Sequence, residues 1–206
     1  YFMMSAELDG IICSGARKGR QFTYALLEER VPQFKALKRD EALSELVRRY
    51  FASRGPATLH DFVWWSGLTM ADAKNGIEMV KSEFTHEKMD GKTYWFPDSK
   101  PPAKKKSPIA YLLPNYDEYF IGFKDRSAIG NRITWSNLDE SSSAFIAHIL
   151  FIDGQIVGGW KRDIRKNEVV VKLNSLIDLT KTEKQSIAAA ANHYSEFLGV
   201  TVTLTY

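Results

Sequence analysis

Between residues 40 and 97 the spacing of apolar positions is helical three times over and then turns to alternation. From Asp40 onward Leu43, Leu46, Val47, Tyr50 and Phe51 recur at helical spacing and leave Glu45, Arg48 and Arg49 off the apolar face. A helix stopping near Gly55–Pro56 is expected. A second helix opens on Thr58 as N-cap with Asp61 three residues later, a capping-box pair, and ends at Gly67 after Phe62, Val63, Trp64 and Trp65. Thr69 and Asp72 repeat the cap before a third helix, expected to carry Ala73, Ile77, Val80 and Phe84 inward and Lys74, Asn75, Glu78 and Lys81 outward. A run rich in Thr, Tyr, Trp and Phe then flanks Asp90–Gly91, a dipeptide suited to the positive φ angles of a two-residue type I′ turn, with Lys88 and Lys92 near the tip.

Three short helices followed by a hairpin make a winged helix, with the third helix in the recognition position. A helix fits the major groove and a basic wing reaches neighbouring phosphates, so double-stranded DNA is the expected partner. The same architecture also serves protein docking, in which case Lys74, Lys81, Lys88 and Lys92 are solvated surface charges.

The flanking segments extend this picture. Residues 3–11 could end a helix, and Ile11–Cys13 would pair with Phe22–Leu26 across a loop carrying Arg17, Lys18 and Arg20, which reads as the recognition helix and wing of an incomplete winged helix over residues 1–39. The opening on Tyr1 within such a unit suggests a truncated chain. Residues 98–107 combine prolines with lysines and lack apolar periodicity, so an extended linker is expected between the winged helix of 40–97 and a domain of 108–206. In that last domain His148–Asp153 and Gln155–Trp160 flank Asp153–Gly154, and Glu168–Leu173 supplies a further strand. Thr180 and Glu183 cap a helix with Ile187, Ala190, Ala191, Tyr194 and Leu198 as its buried stripe, before a β-rich tail of Val200–Leu204. The class is α+β: tandem winged helices, then a small antiparallel sheet or barrel with one helix.

Composition narrows the function classes. The 206 residues carry a net charge of +3, which permits a local basic surface but falls short of a nonspecific nucleic-acid coat. Cys13 is the sole cysteine, read as a packed core thiol; it excludes an internal disulfide and suits a reducing, cytoplasmic setting. No apolar run reaches the roughly 20 residues of a membrane span. His60, His86, His148 and His193 are scattered without metal-ligand spacing, and no nucleophile elbow or phosphate loop is present, so no metal and no cofactor are expected. Gly158–Gly159 lies in a strand pattern and suggests a bulge. Asp117 and Glu118 are adjacent, and an acid/base role would need an irregular loop. The alternative is that they cap a helix or pair with Lys124, Arg126 or Arg132 while Tyr116 and Tyr119 pack.

Three stretches carry a family resemblance: Leu8 to Gly15, Gln21 to Pro32, and Asp61-Phe62-Val63-Trp64-Trp65-Ser66-Gly67-Leu68. With Leu112-Leu113-Pro114-Asn115-Tyr116-Asp117-Glu118-Tyr119, and Asp153-Gly154 through Gly159-Trp160-Lys161-Arg162, the chain resembles the AlkZ/YcaQ-like winged-helix DNA glycosylases across nearly its whole length. The resemblance implies tandem winged helices, a β-barrel-like C-terminal domain, and repair of alkylated bases or crosslinks. It also implies a Gln-x-Gln or Gln-x-Asp catalytic motif in a preceding module that this sequence does not contain; Gln21, in Gln-Phe-Thr, does not match it. The expectation is a DNA-binding portion without catalytic residues, inactive by itself, that contacts DNA through Arg17, Lys18, Arg20, Lys74, Lys81, Lys88 and Lys92. The alternative is a noncatalytic transcriptional regulator or docking module.

Overall fold

The computed structural model describes residues 1–19, 21–32, 37–98, 108–134 and 148–206. The chain divides into two compact units, Tyr1–Ala42 and Leu43–Tyr206. Arg20 and residues 99–107 of the expected linker lie outside the described residues.

In the first unit α1 (Phe2–Leu8) leads into β1 (Ile12–Ser14), which pairs antiparallel with β2 (Tyr24–Leu26), and α2 (Leu27–Arg30) follows. The helix ends earlier than its apolar residues suggest because Gly10, at φ +68°, turns the chain into the strand. Cys13 sits opposite Ala25 and is half-buried. It is not the core thiol the sequence suggested, since a two-stranded ribbon has no second layer to cover it.

α3 (Arg39–Arg54) crosses into the second unit, where α4 (Leu59–Ser66) and α5 (Met70–Val80) follow at the expected places. Val47, Tyr50, Phe51, Ala57, Phe62, Ala73, Ile77 and Val80 form their common core. Thr58 and Asp61 make the full capping box and Gly67 closes α4 in the left-handed conformation, so both ends of this two-turn helix have partners for their exposed backbone groups. Phe84 departs from expectation. α5 stops at Val80, a 3-10 turn spans Lys81–Glu83, and Phe84 opens the strand β3 (Phe84–Met89) while still packing on the helical core. Arg48 of α3 grips Glu83 with two hydrogen bonds of 2.8 and 2.9 Å, which ties the root of the hairpin to the helices. β3 pairs antiparallel with β4 (Lys92–Pro97), and Asp90 and Gly91 hold the turn at φ +49° and +77°.

The remaining strands form one five-stranded sheet in sequential order: β5 (Ala110–Leu113), β6 (Ile149–Ile152), β7 (Gln155–Ile164), β8 (Glu168–Ser175) and β9 (Thr201–Thr205). The sequence reading missed β5. It also took the sheet to be wholly antiparallel, whereas β9 runs parallel to β8. The reason is the connection: the helix Lys181–Leu198, numbered α7, lies between the two strands and carries the chain back to its starting end, as a parallel neighbour requires. The sheet is open, with β5 and β9 at its edges among the described residues. Among the described residues a one-turn helix, α6 (Glu118–Ile121), joins the expected one on this part of the chain.

The bulge expected at the glycines is present. Leu150 faces Gly158 but Phe151 faces Ile156, which leaves Val157 as the extra residue. Gly158 has a separate reason to be glycine: a Cβ there would fall 2.2 Å from the Asn174 carbonyl oxygen. One face of the sheet buries Leu150, Ile152, Val157, Trp160, Val169, Val171 and Leu173 with Ile187 of α7. On the other, Ile149, Phe151 and Ile156 pack with Leu113, Phe120, Ile129 and Ile133.

Candidate nucleic-acid interface

The segment 117–127 holds the hairpin side of the molecule in place through side chains fixed at several points. Asp61, 3% exposed, uses both carboxylate oxygens. One accepts the Thr58 amide at 2.9 Å and hydroxyl at 2.7 Å, and the other accepts the backbone amides of Lys124 at 2.9 Å and Asp125 at 3.2 Å. A helix cap thereby becomes a tie to residues about sixty positions away.

Around it the buried Tyr50 hydroxyl donates to the Gly122 carbonyl at 3.1 Å, and Trp64 Nε1 donates to the Ile121 carbonyl at 3.0 Å. Burial pushes the Tyr50 phenol well above its ordinary pKa, so it remains a donor at every physiological pH. Asp117 caps α6 by accepting from the Tyr119 amide at 2.9 Å. Glu118 accepts from Arg54 at 2.6 Å and from Trp65 Nε1 at 2.9 Å, while the Arg54 guanidinium lies 4.6 Å from the Trp65 ring centre. Capping by one carboxylate was among the sequence alternatives. The partner of the other is Arg54, not Lys124, Arg126 or Arg132. Arg126 donates to the Phe120 carbonyl, and Arg132 pairs with Glu183 at 2.7 Å. Both acids are therefore occupied in building the fold, and they diverge as neighbours on regular structure do.

The two hairpin lysines part company. Alternation along β3 and β4 puts Lys88 and its partner Thr93 on one face, and Met89 with its partner Lys92 on the other. Lys92 faces the 117–127 segment and is paired with Asp125. The Lys92 ammonium, followed by the hydroxyl and amide of Ser127, holds the Asp125 carboxyl far below its ordinary value. Lys88 is exposed and has no carboxylate partner among the described residues. On the third helix Lys74 is likewise exposed and without such a partner, whereas Lys81 lies in the 3-10 turn and pairs with Glu78.

In the first unit the Arg17 guanidinium stacks over the Phe22 ring at 4.7 Å and Lys18 stands exposed in a short bridge with Gln21. Asp125 was missed by the sequence reading. Its local signal is the turn it forms with Ser127, to whose amide and hydroxyl it binds at 2.9 and 2.7 Å, but nothing local names Lys92 as its partner. No group of three or more His, Cys, Asp or Glu among the described residues is placed to hold a metal ion, and none of their helices is long and apolar enough to cross a membrane.

Comparison with known proteins gives three findings. The family model described as DNA glycosylase AlkZ-like matches residues 1–197. The interstrand DNA cross-link repair glycosylase of Streptomyces sahachiroi is 22% identical over 202 residues, which cover 93% of this chain and 53% of that protein. The solved structure of Streptomyces sahachiroi DNA glycosylase AlkZ shares the fold with a TM-score of 0.68 at 20% identity, over 95% of this chain and 55% of the other. The chain spans about half the length of the relatives it matches.

Proposed function

Because this chain belongs to the DNA glycosylase AlkZ-like family, we propose that it grips duplex DNA in the service of a base-excision repair activity on alkylated or cross-linked bases. The observation that carries the reading is the sequence of three helices, two of them with threonine N-caps, and a pinned hairpin, α3 to β4, which leaves Lys74 and Lys88 exposed and without carboxylate partners among the described residues. In this reading residues 40–97 act as a winged helix with α5 as recognition helix. Residues 1–39 present Arg17 and Lys18 as a second basic loop, and 108–206 support the helices and hairpin from within the same compact unit. Phosphate contacts from such groups give affinity and register without sequence choice, which suits a protein that must find a lesion in any context.

No catalytic role is assigned to Asp117 or Glu118: Asp117 Oδ1 caps a helix, and Glu118 Oε2 accepts from an arginine and an indole. Fluorescence anisotropy of the full chain on a labelled duplex, titrated across a salt series, tests the reading. Affinity should fall steeply with salt, and Lys74→Ala with Lys88→Ala should reduce the slope of log K against log salt by roughly 0.9 for each phosphate that is no longer neutralised. A slope unchanged in the double variant would remove this surface from the interface. Binding confined to a single duplex sequence would point to a regulator instead.

A further inference from the structure

The groove between the edge strand β5 and α7 has a volume of about 700 Å³ and is lined by no residue of β3 or β4. That volume falls within the roughly 300–1,000 Å³ typical of small-ligand sites. Its chemistry is one-sided. Among the described residues that line it, Arg162 is the only one with a permanent charge and none is a carboxylate. The Arg162 guanidinium donates to the Tyr194 hydroxyl at 2.5 Å and has no acidic partner among the described residues.

Rings surround this cation. Trp160 is buried beneath the groove, with Nε1 donating to the Leu113 carbonyl at 2.9 Å and its ring 6.0 Å from Tyr194 in an edge-to-face arrangement. Phe197 is 84% exposed on the α7 wall, so one large ring of the groove stands in water, while Tyr111, paired with Phe151, takes the face of the sheet away from α7. His193 also lines the wall, and His148 lies 5.0 Å from Trp160. Burial, and secondarily the Arg162 charge, holds His148 below its ordinary pKa.

We propose that this groove binds an unpaired stretch of the DNA strand, with a phosphate on Arg162 and a base against Phe197, an inference that rests on the DNA-gripping reading. A guanidinium without an acidic partner beside an exposed ring is the combination that single strands use, because a phosphate supplies the counter-charge and every base offers a face for stacking. Duplex DNA has its bases paired and stacked and cannot use this ring. The occupant is therefore a segment opened from the helix.

The test uses the full chain and a fluorescein-labelled deoxythymidine octamer, followed by anisotropy, with a labelled duplex measured in parallel. Arg162→Gln should weaken octamer binding by about tenfold or more and Phe197→Ala by about fivefold or more, while duplex binding changes by less than about twofold. Both side chains are exposed, and matching thermal melts will establish that the variants fold. Octamer affinity unchanged in both variants, or equal losses on the duplex, would overturn the assignment. So would displacement of the octamer by thymidine monophosphate at the octamer's own Kd, which would make the groove a free-nucleotide site. A chain that binds duplex but not octamer sinks this inference alone, and one that binds neither sinks the gripping reading with it.

Discussion

Asp61 shows how much one side chain can hold. Its carboxylate serves a helix start and a distant backbone segment together, with four donors on two oxygens in a site 3% exposed. Hydrogen bonds to a charged acceptor contribute about 1.5–3 kcal/mol each, less what water would have supplied, and a lost cap costs about 1 kcal/mol. Asp61→Ala should therefore lower stability by about 3–5 kcal/mol, with a fall in Tm of about 2–4 °C per kcal/mol for a unit of this size. Thr58→Ala, which removes only the local half, should cost about 1 kcal/mol. Equal losses in thermal melts of the two variants would show that the tie to Lys124 and Asp125 contributes nothing.

Asp125 makes the complementary case in its pH dependence. Its carboxyl is held below the ordinary 3.8 in the folded chain, chiefly by Lys92, so the unfolded chain takes up the proton first as pH falls. The stabilisation is complete above about pH 4 and drains away below it. Asp125→Asn should flatten the acid limb of a Tm-against-pH curve, and an unaltered limb would show that the pair adds no stability in water.

At the scale of elements, the hairpin is held from below. Lys92 is its anchor and Lys88 its free hand, a division imposed by the two-residue period of a strand. Lys92→Ala should leave the salt slope of duplex binding near that of the parent chain while lowering Tm, whereas Lys88→Ala should do the reverse. Equal slopes in the two variants would refute the division. What the sequence disclosed of these elements followed from range. The Asp90–Gly91 and Asp153–Gly154 turns and the Thr58, Thr69 and Thr180 caps were legible because each is decided within four residues. Phe84 was misplaced because its apolar spacing fits one more helical turn as well as it fits the first position of a strand. The commitment of Lys92 to Asp125 could not be read, since 33 residues separate them and any exposed carboxylate would have matched as well.

Over the whole of Leu43–Tyr206 the helices and the sheet share one compact unit, with Phe123 packed on the helical core and Phe120 on the sheet. Unfolding of this unit should be a single transition. Tryptophan emission, weighted to Trp64, Trp65 and Trp95 near the helices, and far-UV circular dichroism, which reports all elements, should give coincident melts. Two separated midpoints would show that the helical part and the sheet are independent. The candidate interface was half legible for the same reason as the fold: lysines on exposed faces follow from periodicity, but which of them are neutralised, and where Arg162 meets a groove, depends on contacts made across the chain.

The parallel pairing of β9 carries a consequence for synthesis. During translation β8 emerges long before its outer neighbour, and that neighbour can dock only after α7 has formed and turned the chain around. Through that interval the nascent protein displays the valine-rich row Val169-Val170-Val171 along an unsatisfied backbone edge, a template on which a second nascent chain from the same polysome can assemble. Low yield of soluble protein at high expression, relieved by slower synthesis, is the behaviour this order of assembly entails.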